Sequence, residues 1–254
     1  MPFETTSCTS LSFSPALDAM EQIQRWLAEE EKEHDKSFNC NWRTISKAYQ
    51  KREVACLSLD SESVGFLVWS MNEEESIVTF DIVAIRPDIR GKGLGRFLVE
   101  RAFDHFANKQ IHIAELESKP EASKPFWQSL GFCDKEPPRS SSCHNAMFRY
   151  LCEVSHPVSS SESSEILELW NKEPYEIEED AIPSWTWEIQ RVANSRILEK
   201  PIVFPCSVNW RLRWRSGFHI THYDEKVKRF TGSANSRQWN RYMVITELEF
   251  PENA

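Results

Sequence analysis

Seven consecutive residues, Arg90-Gly91-Lys92-Gly93-Leu94-Gly95-Arg96, combine three glycines with three cations. That composition suits an anion. Glycine carries no Cβ, so a phosphate can come close to the backbone. The first turn of a helix leaves N–H groups unpaired and carries the positive end of the macrodipole. Such a site needs a strand before the glycines and a helix after them, and both are legible. Ile82-Val83-Ala84-Ile85 is a β-branched run that ends before Pro87. Leu94, Phe97, Leu98, Ala102 and Phe103 recur at helical spacing. Two common phosphate motifs do not fit. The glycines are not spaced G-x-G-x-x-G, and Lys92 has no Ser or Thr beside it, as a P-loop requires.

What does fit is R-x-x-G-x-G, Arg90 through Gly95, after a strand ending V-x-I-x-P. This resembles the acyl-CoA pyrophosphate loop of the GNAT N-acetyltransferase superfamily. About thirty residues downstream, Pro125-Phe126-Trp127-Gln128-Ser129-Leu130-Gly131-Phe132 is similar to that family's FYxxLGF segment. The resemblance covers roughly residues 1–155 and not the last hundred. It implies a mixed α/β fold, a GNAT-like central sheet with flanking helices, and acetyl-CoA as the donor. The pyrophosphate would rest on the N–H groups of Gly91 to Arg96, including Lys92, Gly93, Leu94 and Gly95. The pantetheine arm would pair with the strand edge at Val83 and Ile85, with Phe126 and Trp127 packed on it.

Transfer in that family is direct: an amine attacks the thioester within a ternary complex. A base must take the amine proton, and the oxyanion must be stabilised. Asp81, just before the CoA-pairing residues, is the first candidate base. Glu117 is the second, and Glu115 faces the same way by alternation. The plainer reading of each carboxylate is a partner for a nearby Lys or Arg. The family often draws a general acid from the Tyr of FYxxLGF, but Trp127 stands there. An indole N–H donates a hydrogen bond and cannot deliver a proton. Glu117-Ser118-Lys119 likewise replaces the Asn usual before this helix. A CoA thiol is a good leaving group near neutral pH, so these departures bear on the protonation step alone. His105 and His112 read as packing or surface residues.

At 254 residues, with 40% apolar residues, ten Trp and fifteen Phe, the chain can build one large domain or two modest ones. No apolar run reaches the ~18 to 20 residues that span a bilayer, and the N-terminus, MPFETTSCTS, lacks the features of a secretory signal. Seven scattered cysteines, an odd number without a C-x-x-C pair, point to free thiols in a reducing, cytoplasmic compartment and to neither disulfides nor zinc. No metal is expected. His219 and His222 would face opposite sides of a strand and have no third ligand in register.

The first part of the chain reads β-α-α-β-β-β-α-β-α-β. A strand over 3–13 leads, through an N-cap at Ser14-Pro15, to a helix running to about His34. A short helix follows over 42–51, then strands over 53–59, 64–71, 76–85 and 110–116. A helix over 120–130, a polar hairpin loop over 133–146 and a strand over 147–154 close it. The expected division is an acyl-CoA-binding domain over 1–154, a Ser-rich linker over 155–164, and a smaller β-rich domain or extension over 165–254. Residues 165–170 read as a short helix. Period-2 patterns at Trp185-Trp187-Ile189, Trp210-Leu212-Trp214 and Tyr242 to Phe250 read as strands.

Residues 191–241 hold eleven Arg/Lys against three Asp/Glu, while residues 1–190 hold nineteen against thirty-three. The acidic front favours a cationic acceptor: a small amine, a polyamine, a lysine or an α-amino group. Arg211, Arg213 and Arg215, interleaved with Trp210 and Trp214, suit single-stranded nucleic acid or tRNA. The plainer reading puts the Trp face in a core and the Arg face toward water or the acidic first domain. Three functions stay open: an N-acetyltransferase; a binding module on the same scaffold that engages RNA or a protein; and a toxin-like acetyltransferase acting on charged tRNA. The acceptor and the oligomeric state are left open.

Overall fold

The computed structural model describes residues 8–34, 37–72, 76–135, 145–159, 163–178, 180–193, 195–217, 220–230, 235–239 and 242–250. The chain divides into two compact units, Met1–Leu151 and Cys152–Ala254.

The first unit opens with β1 (Thr9–Ser12), α1 (Leu17–His34) and α2 (Trp42–Gln50). The expected start of the first strand, residues 3–7, lies outside the described residues. Helix α1 begins at Leu17, two residues after Pro15, and the Ser14 N–H bonds the Ser12 hydroxyl at 3.2 Å. Then come β2 (Val54–Leu59), β3 (Glu62–Asn72), β4 (Ile77–Ile85), α3 (Leu94–Ala107), β5 (Ile113–Glu117), α4 (Lys124–Ser129), β6 (Cys133–Asp134) and β7 (Ala146–Tyr150). Most of the expected hairpin loop, residues 136–144, lies outside the described residues. The strands form one mixed sheet, β1-β2-β3-β4-β5-β7-β6, in which only β4 and β5 run parallel. This is a mixed α/β fold.

Each sheet face has its own core. Met20, Ile23, Trp26 and Leu27 of α1 and Ile45 and Ala48 of α2 pack on Phe66, Val68, Ile82 and Ala84. Leu98, Val99, Ala102, Phe103 and Phe106 of α3 pack on Leu67, Trp69, Val78 and Phe80. Each fully buried side chain of this kind contributes about 1.5–3 kcal/mol. Strand β4 therefore changes faces along its length: Val78 and Phe80 serve one core, Ile82 and Ala84 the other. The register explains the switch. Trp69 pairs with Phe80 and Val68 with Ile82, so Asp81 is the extra residue of a β-bulge. Plain alternation would have kept one parity throughout.

The second unit contains β8 (Glu165–Trp170), β9 (Trp185–Glu188), β10 (Ile197–Pro205), β11 (Arg211–Ser216), β12 (Ile220–Lys226), β13 (Asn235–Trp239) and β14 (Tyr242–Glu247). They form antiparallel sheets β12-β11-β8-β9 and β10-β14-β13. Leu167, Leu169, Trp187, Leu212 and Trp214 from the first share one core with Leu198, Ile202, Met243 and Ile245 from the second. The helix expected over 165–170 is a strand. Residues 166–170 are all buried, and β11 and β9 bond to both edges. A segment covered on both faces shows neither period to a sequence reading. Within the expected linker, the Ser155 N–H bonds the Pro201 carbonyl and Val158 bridges Thr186, while residues 160–162 lie outside the described residues.

Candidate active site

The parallel pairing of β4 with β5 runs only from Ile77↔Ile113 to Phe80↔Leu116. Beyond it, β4 continues to Ile85 against β3 alone, and Glu117 pairs only with Ala146 of β7. The two strands part at the bulge. The Arg86 N–H bonds the Val64 carbonyl on β3, 2.8 Å away. By alternation, the backbone groups of Val83 and Ile85 point to the other side, into the gap. A cavity of about 1010 Å³ opens there.

This cavity brings together most of the residues singled out by sequence. Asp81, Val83, Ile85, Arg90, Glu117, Phe126 and Trp127 all line it. The remaining loop residues sit just outside. Gly91 and Gly93 hold left-handed φ of +79° and +82°, and nothing lies within 4 Å of where a Cβ would stand on either. Gly93 precedes α3 without a side-chain cap. The helical ladder starts at the Phe97 N–H, bonded to the Gly93 carbonyl at 3.0 Å. The N–H groups of Leu94, Gly95 and Arg96 come before it and have no partner within the helix. A Cβ on Gly95 would sit 3.7 Å from both Ile85 and Phe126, so this glycine joins the helix start to the cavity wall.

The charged residues are used unequally. Lys92 is exposed and makes no ion pair among the described residues. Arg96 turns away from the loop, donating to the Ser129 hydroxyl at 2.8 Å and pairing with Glu100 at 3.3 Å. Arg90 pairs with Glu30 at 2.5 Å and donates through Nε to the Ile85 carbonyl at 2.7 Å. Glu117 pairs with Lys119 at 2.6 Å. Glu115 is buried against Lys135, 3.2 Å away. Asp81, exposed and at the bulge, has a carboxyl pKa raised above the ordinary range. Desolvation by the neighbouring walls is the main cause, a Ser70 hydrogen bond opposes it, and the Glu53 charge adds to it.

Trp127 is buried and meets Phe126 and Phe132 edge-on, with centroids 5.0 and 5.5 Å apart. No tyrosine or histidine stands among the cavity's described lining. His105 stacks on Phe13 at 3.7 Å, a packing role. The same cavity is lined by Glu30 and Glu31 of α1 and by Phe38, Cys40 and Asn41 of the turn after it, none of them among the candidate site residues. The acidic run Glu29 to Glu33 was the available signal, but a solvated helix face produces the same run.

The cations of the second unit are arranged differently. Arg211 grips Asp224 through two bonds of 2.6 and 2.7 Å. Arg213 and Arg215 converge on Glu168 at 2.7 and 3.1 Å. Glu168 is 3% exposed. Burial works against its ionised form, but the two guanidiniums outweigh this and hold it below the usual carboxylate range. The arginines thus meet carboxylates of their own sheet, a pairing that neither reading of the stripe included. His222 leans on Trp214 and shares a 2.9 Å hydrogen bond with Ser216, while His219 lies outside the described residues.

Comparison with known proteins bears on the first unit. Over 52 residues, 20% of its length, the chain is 44% identical to the L-amino acid N-acyltransferase MnaT of Escherichia coli (strain K12), and it spans 30% of that protein. The PaiA N-acetyltransferase of Thermoplasma acidophilum, solved in complex with coenzyme A, is similar at 13% identity and a TM-score of 0.47, covering 56% of this chain and 99% of that one. The ribosomal-protein-S18-alanine N-acetyltransferase of Escherichia coli is similar at 16% identity and a TM-score of 0.46, covering 60% and 100%. Residues 17–132 match the model of the acetyltransferase (GNAT) family, and Asp81, the glycine loop, Glu117, Phe126 and Trp127 all fall inside that stretch. Residues 17–132 are thus similar to an acetyltransferase domain of the GNAT family, and the residues beyond 132 lie outside the match.

Proposed function

We propose that this chain moves an acetyl group from acetyl-CoA to an amine by direct attack within a ternary complex. The parting of β4 and β5 carries the reading: it leaves the end of β4 without a strand on that side, with the Ile85 carbonyl taken by Arg90, and leads to a helix start whose first N–H groups have no partner within the helix. An amide-rich pantetheine can add to that edge as a strand would, at Val83 and Ile85. The pyrophosphate can rest on Gly91 to Arg96, with Lys92 as a screening charge. Phe126 and Trp127 supply apolar walls.

The amine must arrive neutral. Asp81 is the favoured base, acting directly or through one water, because its raised pKa brings it nearer the pKa of a useful base. Glu117 is less suited, since Lys119 holds its carboxylate at 2.6 Å. Trp127 cannot protonate the leaving thiolate, so solvent does so. Glu30, Glu31, Asp81 and Glu117 outnumber Arg90 and Lys119 around the cavity, which favours a cationic acceptor. The likeness to an L-amino acid N-acyltransferase puts free amino acids on the panel to be tried. The odd cysteine count supports a reducing, cytoplasmic setting. Binding of nucleic acid by Arg211, Arg213 and Arg215 has less support, because all three guanidiniums are paired within the sheet.

The test is thiol release from acetyl-CoA in the presence of amines, L-amino acids, peptides or aminoacyl-tRNA, alongside the thermal midpoint with and without acetyl-CoA. A raised midpoint and turnover with one acceptor class are expected. An unchanged midpoint at saturating acetyl-CoA rules the reading out.

A further inference from the structure

Arg90 stands where a phosphate ligand is expected, yet its guanidinium is already engaged. Nε donates to the Ile85 carbonyl at 2.7 Å, and Nη2 meets Glu30 at 2.5 Å. The first bond closes the short segment after β4 on itself. That segment is a 3-10 turn, Pro87–Ile89, and Arg86 holds it from its other end through Asp88 at 2.8 Å and Glu62 at 3.0 Å. The second bond ties the segment to α1, sixty residues earlier in the chain.

Glu30 is only 6% exposed. It lines the cleft and also a second cavity, of about 680 Å³, whose other acidic residues, among them Asp18, Glu21 and Glu29, outnumber its cations Arg25 and Arg86. A carboxylate so placed needs a cation beside it, since burying an unpaired charge is costly. Arg90 meets that need.

Beyond Arg90, the glycine loop is fixed at its far end, by Gly95 beside Ile85 and Phe126 and by Arg96 on Ser129. Gly91 and Gly93 have open space where side chains would be, and α3 has no side-chain cap. The free N–H groups can bind an anion well only if they are held in place beforehand.

We infer that Glu30 is a positioning residue for the donor: through Arg90 it fixes the glycine loop against the end of β4, and Arg90 is a strut, not a phosphate ligand. This inference rests on reading Gly91 to Arg96 as the pyrophosphate site. It departs from the expectation that Arg90 lends its charge to the phosphate.

The test is calorimetric titration of CoA into the full chain as wild type, Glu30→Gln, Arg90→Gln and the double variant. Each single change is expected to weaken CoA roughly tenfold, about 1.4 kcal/mol, with the double no weaker than the poorer single. A phosphate-binding Arg90 predicts the opposite sign for one arm. Glu30→Gln would then release Arg90 and leave CoA binding equal or tighter, while Arg90→Gln weakened it; that pattern overturns the inference, as does strict additivity. If the wild type itself fails to bind CoA, the functional reading falls, which is a different result. Should Glu30→Gln be too unstable to titrate, Glu30→Asp keeps the charge but shortens its reach. It is expected to weaken CoA by a smaller factor, and wild-type affinity in it overturns the inference.

Discussion

The cleft of the first unit and the arginine face of the second are both places where charge meets aromatic rings. They differ in what is left over. In the second unit each cation of the stripe has a carboxylate at bonding distance, and Arg211 and Arg213 also lie over Trp170 at 4.7 and 4.9 Å. In and beside the cleft, the N–H groups at the start of α3 precede the helical ladder, Lys92 has no ion pair among the described residues, and Asp81 has a raised pKa. Charge that is consumed internally supports a fold. Unspent donors and a destabilised carboxylate are what a ligand can use. A count of basic residues alone points to the region whose cations are already paired.

The contrast can be broken most sharply at Gly93. Gly93→Val forces a β-branched residue to φ +82° and puts a side chain where an anion would approach. Acetyl-CoA should no longer raise the thermal midpoint, while circular dichroism stays unchanged. A preserved shift would mean that the loop is not the donor site.

Asp81→Asn comes next. At neutral pH kcat/KM should fall by about 10²-fold, the low end for losing a general base, with CoA affinity unaltered. In the wild type the sign follows from the raised pKa: activity is lost as pH falls through it, because protonated Asp81 cannot accept a proton. The acid limb of the pH profile should therefore vanish in the variant. The thermal midpoint should rise slightly, since the folded state disfavours the ionised Asp81 and stability is lost as pH rises through its pKa.

Glu168→Ala probes the other region. Removing the carboxylate strands two arginines, and breaking a buried pair costs about 3–5 kcal/mol; partial exposure of Arg213 and Arg215 argues for the lower figure. Denaturant unfolding should show the loss with CoA affinity unchanged. Because folding holds the Glu168 pKa below its unfolded value, the wild-type contribution is present above the unfolded pKa and fades as pH falls through the folded one. The smallest effect belongs to Lys92→Gln. An exposed charge should change CoA affinity by only a few-fold, about 1 kcal/mol or less, and the difference should shrink with added salt.

What could be read in advance, and what could not, divides by the range of the interaction. The loop over Arg90–Arg96 was legible because its demands are local. Glycines are needed where φ is positive, a β-branched run makes a strand, and apolar spacing makes a helix. The strands at 185–188, 211–216 and 242–247 declared themselves by alternation in the same way. Strand β10 did not, since Pro201 and Pro205 interrupt the pattern. Residues 165–170 were misjudged as a helix because two neighbouring strands, not their own sequence, set their conformation.

The glycine loop, the family resemblance and the mixed architecture were legible in one dimension, since each is written in residues a few positions apart. Only the tertiary structure decided which charges remain available. The Glu30–Arg90 pair spans sixty positions and the Glu168–Arg213 pair forty-five. The Asp81 bulge exists only in the register of β4 against β3. A chain read in one dimension gives the charges but not their partners, and whether a charge has a partner separates a binding site from a scaffold.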